Sequence, residues 1–571
     1  MSWDPNLPLI VQSDLSILLE THHADFEAVR GELSRFADLI KSPEHLHTYR
    51  ITPLSLWNAA AAGMPVDQIS ACLQKYAKFG VPTSVLSSIR KYAQRYGLLR
   101  MEDVGNELYL VSDDTVVLKE ICAYDSLKKY VEDTRGERAI AISPVSRGIL
   151  KQELTRLGYP VEDLAAYRQG EFLPIALRDD DEAETPFQLR DYQKQAVDAF
   201  HRIDVEGSGV LVLPCGAGKT VVGIAAMARC KCATLILTSN VTSVKQWKRE
   251  ILSKTGLDQD QVGEYSGSSK EVKPITIATY QILTHRGKKE DEFSHMGLFS
   301  QREWGLIIYD EVHLLPAPVF RATAEIQATR RLGLTATLIR EDGREEDVFS
   351  LVGPKKYDMA WKELESMGWI AKVTCQEVRV PLSGMDRDHY GASGARQQFR
   401  IAGENTAKLD VISHLLVRHA NEPTLIIGQY LDQLAHIAAH TGAPMISGSM
   451  PYDSREELYE QFKKGQLPLL IVSKVANFAV DLPDAAVAIQ VSGSYGSRQE
   501  EAQRLGRILR PKKEGAANTA VFYSLISEDT KEQDFALKRQ LFLVEQGYEY
   551  AITYWGQGTK GQEGIHTYHE V

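Results

Sequence analysis

This sequence predicts an α/β protein built on two successive doubly wound parallel sheets. Two observations carry the prediction. Short unbroken apolar runs recur at 210–213, 233–238, 275–278, 306–309 and 332–334, and again at 424–427, 469–472, 486–491 and 520–523. Unbroken runs of that length are the texture of parallel strands covered on both faces. Helix-forming stretches separate them, the alternation that a doubly wound sheet requires.

The chain has 571 residues, enough for three or four domains. Charged residues make up 25% and hydrophobic ones 43%, an ordinary globular balance that excludes disorder as an overall description. Acidic residues outnumber basic ones 76 to 65, for a net charge of −11. A protein that coats nucleic acid is usually basic, so any grip on DNA has to come from local positive charge. The six cysteines follow no disulfide framework, and Cys230 and Cys232 lack partners at zinc-site spacing. No apolar run is long enough to span a bilayer and the first residues do not read as a signal peptide. The expectation is a cytoplasmic protein with no membrane partner.

Residues 1–115 read as a mostly helical amino-terminal domain. Thr52-Pro53 marks a helix start, an N-cap followed by proline at the first helical position. Amphipathic runs follow at 66–77 and 85–96, then a short strand near 108–112. Residues 116–177 read as a small α+β domain. The stretch 178–186, rich in Asp and Glu and ending at Pro186, reads as a linker. The first lobe then occupies 187–375, a connector 376–405, the second lobe 406–555 and a tail 556–571.

Chemistry begins at Leu211-Val212-Leu213-Pro214-Cys215-Gly216-Ala217-Gly218-Lys219-Thr220, a strand, a small-residue loop and a helix start. Gly216, Ala217 and Gly218 let backbone N–H groups cradle a phosphate chain at a helix N-terminus. Lys219 supplies charge to the β- and γ-phosphates, and Thr220 a hydroxyl to Mg²⁺. Leu213 stands where the strict pattern has its first glycine. The run Leu306-Ile307-Ile308-Tyr309-Asp310-Glu311-Val312-His313 places Asp310 at a sheet edge to hold Mg²⁺ and Glu311 to handle the attacking water. Upstream, Arg190 and Gln193 precede the first sheet strand, and a glutamine amide suits an adenine edge. ATP and Mg²⁺ are therefore the expected ligands.

In the second lobe, Gln503-Arg504-Leu505-Gly506-Arg507-Ile508-Leu509-Arg510 puts Arg507 and Arg510 one helical turn apart, arranged to act as arginine fingers on ATP. Gln503 belongs to the same catalytic set. Thr335 and Thr337, at a strand end, are placed to sense the γ-phosphate and, with His313, to couple it to motion. The segment from Ser473 and Lys474 to Asp481 offers polar groups to both nucleotide and a nucleic-acid backbone.

Together these motifs resemble motifs Q, I, II, III, V and VI of superfamily 2 helicases. The Asp-Glu-Val-His box and Arg340-Glu341-Asp342 resemble those of the XPB DNA repair helicases, as do Gln499-Glu500-Glu501-Ala502-Gln503 and the late Gln540–Tyr548 stretch. The resemblance covers about residues 186–555, and less specifically 1–115. It implies two RecA-like lobes and ATP-dependent 3′-to-5′ DNA unwinding or duplex translocation in repair. It gives Arg340, Glu341 and Asp342 a part in strand separation, makes 116–177 a damage-recognition-like domain, and makes 382–404 a short thumb-like insertion.

A motor that steps along any sequence holds backbone rather than base edges. The expected DNA contacts are sheet-edge residues: Thr238, Ser239, Lys245, Gln246, Thr279, Tyr280, Ser473 and Lys474. Arg387, Arg396 and Arg400, interleaved with Tyr390 and Phe399, form a further basic–aromatic patch suited to stacking and phosphate contact. The partner is single-stranded, duplex or forked DNA. The alternative is an ATP-gated duplex translocase or clamp that never separates strands and works with a nuclease partner.

Overall fold

The computed structural model describes residues 4–42, 45–105, 107–178, 187–202, 205–206, 208–214, 216–286, 294–326, 329–336, 338, 343–473, 485–493, 519–545, 548, 550–556 and 565–566. The chain divides into two compact units, 1–213 with 218–358, and 214–217 with 359–571.

The first unit carries three principal sheets. Leu9–Val11, Ser16–Glu20, Leu46–Arg50 and Asp38–Lys41 pair antiparallel in that order, so the first fifty residues are sheet-rich rather than helical as expected. Their strands are only three to five residues long, too short for alternation to announce itself. The helices Pro53–Ala61, Val66–Tyr76 and Thr83–Ala93 follow. Thr52 caps the first of these: its hydroxyl accepts from Ser55 N at 3.0 Å, and Ser55 Oγ accepts from Thr52 N at 3.0 Å.

The second sheet joins Val131–Arg135, Ala139–Ile142, Glu107–Val111, Leu99–Val104 and Val161–Asp163. It therefore starts before residue 116, because Leu99–Val104 and Glu107–Val111 form a hairpin whose partners lie downstream. Helix Arg147–Arg156 packs this domain against helix Ala317–Glu325. A Cβ at Gly148 would stand 2.3 Å from the Ala324 carbonyl oxygen, so only glycine permits this approach. Asp163, its side chain 11% exposed, gathers Arg147 Nη2 and Lys151 Nζ at 2.6 Å each.

The third sheet has seven parallel strands in the order Val262–Tyr265, Ile275–Thr279, Thr234–Thr238, Leu306–Asp310, Arg330–Thr335, Gly209–Val212, Lys355–Asp358. All five apolar runs expected as strands are present, and the central ones are buried along their length. At its edge, Lys355 N donates to Asn58 Oδ1 at 3.0 Å, so the amino-terminal helix Pro53–Ala61 covers an otherwise open strand.

The second unit holds an eight-stranded sheet, parallel except for its last pair. The order is Met445–Ile446, Leu469–Ser473, Thr424–Gly428, Val487–Gln490, Thr519–Ser527, Lys372–Val380, Tyr550–Trp555, Ile565–His566. Lys372–Val380, split by the expected boundary at 375, lies in the middle of this sheet. Its sequence mixes Lys, Thr, Gln, Glu and Arg with apolar residues and breaks the period of two at Gln376-Glu377, so neither an apolar run nor a clean alternation marks this inner strand. Two helices, Gly384–Ala392 and Ala395–Gly403, fill the expected thumb-like stretch. Phe399 is 2% exposed and packs edge-on against Phe535, so it is a core residue and not a stacking platform. Arg400 is engaged by Glu404 at 2.9 Å and Asp432 at 2.6 Å. Among the described residues, no helix is long and apolar enough to cross a membrane.

Candidate active site

The seven-stranded sheet places strand Arg330–Thr335 between Leu306–Asp310 and Gly209–Val212, with Asp310 beside Leu334 and Val212 beside Thr335. The strand leading to the glycine loop, the strand ending in the threonine and the strand ending in the acids are thus adjacent. Their carboxyl ends converge, as ligand sites in such sheets do.

At the loop, Gly216 and Gly218 have φ of +83° and +77°, the left-handed region that glycine adopts at low cost. Helix Lys219–Cys230 begins at once after Gly218 and turns its first amides toward the loop. Gln193 is buried on helix Asp191–Phe200, with Oε1 accepting from Arg190 N at 3.0 Å. Its Nε2 stands 2.7 Å from where a Cβ on Gly218 would lie. The expected adenine-side glutamine and the glycine loop therefore meet.

Lys219 Nζ lies 3.6 Å from Glu311 Oε1. Glu311 has φ +53°, one of few non-glycine residues in the left-handed region, where strain accompanies function. Desolvation and the neighbouring Glu311 charge push the Asp310 carboxyl up to about 6, against the pull of Trp247 and Lys219. Two acids share one lysine, a donor set that suits a divalent cation held by Asp310 and Thr220. His313 is buried, its Nδ1 lying 2.7 Å from Thr335 Oγ1 and 3.6 Å from Glu311 Oε2. Leu213 N donates to the Thr335 carbonyl at 2.9 Å, closing a chain from acid box to glycine loop.

The expected DNA contacts divide. Thr238, Thr279 and Tyr280 are at most 3% exposed. Thr238 Oγ1 donates to Asn240 O at 3.2 Å, Thr279 Oγ1 accepts from Ile282 N at 3.3 Å, and Tyr280 Oη donates to Asp310 O at 3.0 Å. These side chains face inward and organise the sheet edge, which corrects the expectation of side-chain contact with DNA. Lys245 is exposed and Gln246 half-buried on helix Val241–Lys254, and Ser473 ends its strand buried. Thr337, Arg340, Glu341, Asp342, Lys474, Asp481, Gln503, Arg507 and Arg510 lie outside the described residues.

Sequence reasoning missed Trp247. Its indole N–H donates to Asp310 Oδ2 at 2.9 Å. The available signal was the single aromatic of that helix, two positions beyond Lys245.

A family model described as ERCC3/RAD25/XPB C-terminal helicase matches residues 364–570. One described as helicase conserved C-terminal domain matches 9–134, and one described as type III restriction enzyme, res subunit, matches 186–340. The DNA 3'-5' helicase XPB of Mycobacterium tuberculosis is 50% identical over 546 residues, covering 95% of this chain and 97% of that protein. The protein of the same name from Kineococcus radiotolerans is also 50% identical, covering 95% and 96%. The general transcription and DNA repair factor IIH helicase/translocase subunit XPB/SSL2 of Saccharomyces cerevisiae is 30% identical, covering 95% and 71%.

Proposed function

Because the chain belongs to the XPB family of DNA helicases, we propose that its seven-stranded lobe hydrolyses ATP to drive 3′-to-5′ DNA unwinding in repair. One observation carries the site assignment: Lys219 and Glu311 face each other at 3.6 Å where the glycine loop and the acid strand converge. The cation that would hold the β- and γ-phosphates and the base that would orient the water thus share one volume. Gly216, Ala217 and Gly218 present backbone amides to the phosphates. Gln193 and Arg190 take the base end. Thr220 and Asp310 would hold Mg²⁺, which when bound offsets phosphate charge.

His313 and Thr335 then carry the state of the acid box to the neighbouring strand. We assign Arg507, Arg510, Gln503 and Asp481 to the nucleotide as well. Ser473, Lys474, Lys245 and Gln246 are assigned to the DNA backbone, Arg340, Glu341 and Asp342 to strand separation, and Thr337 to coupling. The relatives' names favour strand separation over an ATP-gated clamp working with a nuclease.

The test is ATP turnover titrated with single-stranded, duplex and forked DNA, beside strand-displacement and triplex-displacement assays. DNA should stimulate turnover, and Lys219→Ala and Glu311→Gln should abolish it. Wild-type turnover in either variant overturns the site. Triplex displacement without strand displacement supports translocation alone.

A further inference from the structure

Asp310 is held at two points by helices that start at the sheet edge. Helix Val241–Lys254 follows strand Thr234–Thr238, and its Trp247, 1% exposed, donates from the indole to Asp310 Oδ2. Helix Tyr280–Leu283 follows strand Ile275–Thr279, and the Tyr280 hydroxyl donates to the Asp310 carbonyl. The two edges are tied together, since Gln281 Nε2 donates to Ser239 O and Thr238 pairs with Thr279.

The indole has a slot prepared for it. A Cβ at Gly223, one turn beyond Lys219 on the glycine-loop helix, would stand 2.5 Å from Trp247 Cη2 and 3.2 Å from Leu334 Cδ1. Trp247 therefore lies between the helix that carries Lys219 and Thr220, which it meets at Gly223, and the end of the strand that carries Asp310. A rigid ring so placed transmits displacement, because a close-packed interior has no free volume to absorb it.

We propose that Trp247 is a positioning residue for ATP hydrolysis. It fixes the Asp310 carboxylate by its N–H and, with Tyr280 holding the Asp310 carbonyl, links DNA engagement by Lys245 and Gln246 on the same helix to that carboxylate. The indole on Oδ2 fixes the orientation in which the carboxylate would meet the cation. Acidic-strand geometry and DNA engagement at the edge then become one mechanical variable. This inference rests on the proposed assignment of the acid box and of the DNA edge.

Trp247→Phe, which keeps a ring and removes the N–H, and Tyr280→Phe, which removes one oxygen, are the two variants. The measurements are DNA affinity without nucleotide, the Mg²⁺ dependence of fluorescent ATP-analogue binding, and turnover against DNA concentration. Outer-shell partners of metal-ligating groups typically contribute about 10–100-fold in metal affinity or activity. Trp247→Phe should raise the Mg²⁺ concentration required and lower DNA-stimulated kcat by about that factor, with DNA affinity and the DNA concentration for half-maximal stimulation unchanged. Tyr280→Phe should lower the stimulation factor in the same direction. Wild-type stimulation and Mg²⁺ titration in both variants overturn the inference, as does a loss confined to thermal stability. If DNA fails to stimulate the unsubstituted protein, the proposed function itself fails, a distinct result.

Discussion

The imidazole Nδ1 of His313 lies 2.7 Å from the hydroxyl oxygen of Thr335, inside the first unit and away from solvent. The contact joins the turn after the acid strand to the end of the strand beside the glycine loop. One hydrogen bond and a main-chain contact from Leu213 thus connect the acid box to the loop.

Thr335→Val keeps the shape and removes the hydroxyl. A buried histidine nitrogen then loses its partner, at a cost of about 1–3 kcal/mol. Strand displacement should fall about tenfold or more, since 1.36 kcal/mol is one decade of rate, while DNA-stimulated ATP turnover falls less. Equal losses in the coupled ATPase and forked-duplex assays would show that the pair does not couple the two.

Glu311 holds a left-handed backbone at φ +53°. Asparagine tolerates that region better than glutamate. Glu311→Asn should therefore raise stability by about 1 kcal/mol while eliminating turnover. Chemical denaturation read alongside ATPase measures both, and an unchanged midpoint removes the strain argument.

Gly148 approaches the Ala324 carbonyl so closely that one methyl group has to displace backbone. Gly148→Ala should destabilise the first unit by about 1–3 kcal/mol through overpacking. A denaturation midpoint equal to wild type would contradict the close approach of the two helices.

His47 is 6% exposed on strand Leu46–Arg50, edge-on to Phe26. Burial, with Arg30's charge beside it, lowers its pKa from 6.5 to about 4. The unfolded chain therefore takes up a proton near 6.5 that the folded chain refuses until about 4. Stability from this residue is full above 6.5, declines as pH falls between those values, and changes no further below them. His47→Leu should flatten that part of the stability–pH curve; a slope identical to wild type between pH 6.5 and 4 would remove His47 as its source.

All nine apolar runs expected as strands form strands, because burial on both faces writes itself into consecutive residues. The acid box, the glycine loop and the glutamine before it were equally legible, since each depends on neighbours within a few positions. Lys372–Val380 is not legible as a strand, because its polar residues interrupt any apolar run and Gln376-Glu377 breaks the alternation, although it lies inside the sheet. The four short amino-terminal strands were missed for want of length.

Composition and local pattern were thus enough to establish two parallel-sheet units, a glycine loop before a helix and a pair of acids at a strand end, since secondary structure is a short-range property. Strand order lay beyond them. That Thr335 falls between loop and acids, that Thr238, Thr279 and Tyr280 turn inward, and that Trp247 reaches Asp310 all depend on pairings between residues tens of positions apart. Periodicity states which face of a strand is apolar; only the assembled sheet states which neighbour covers it.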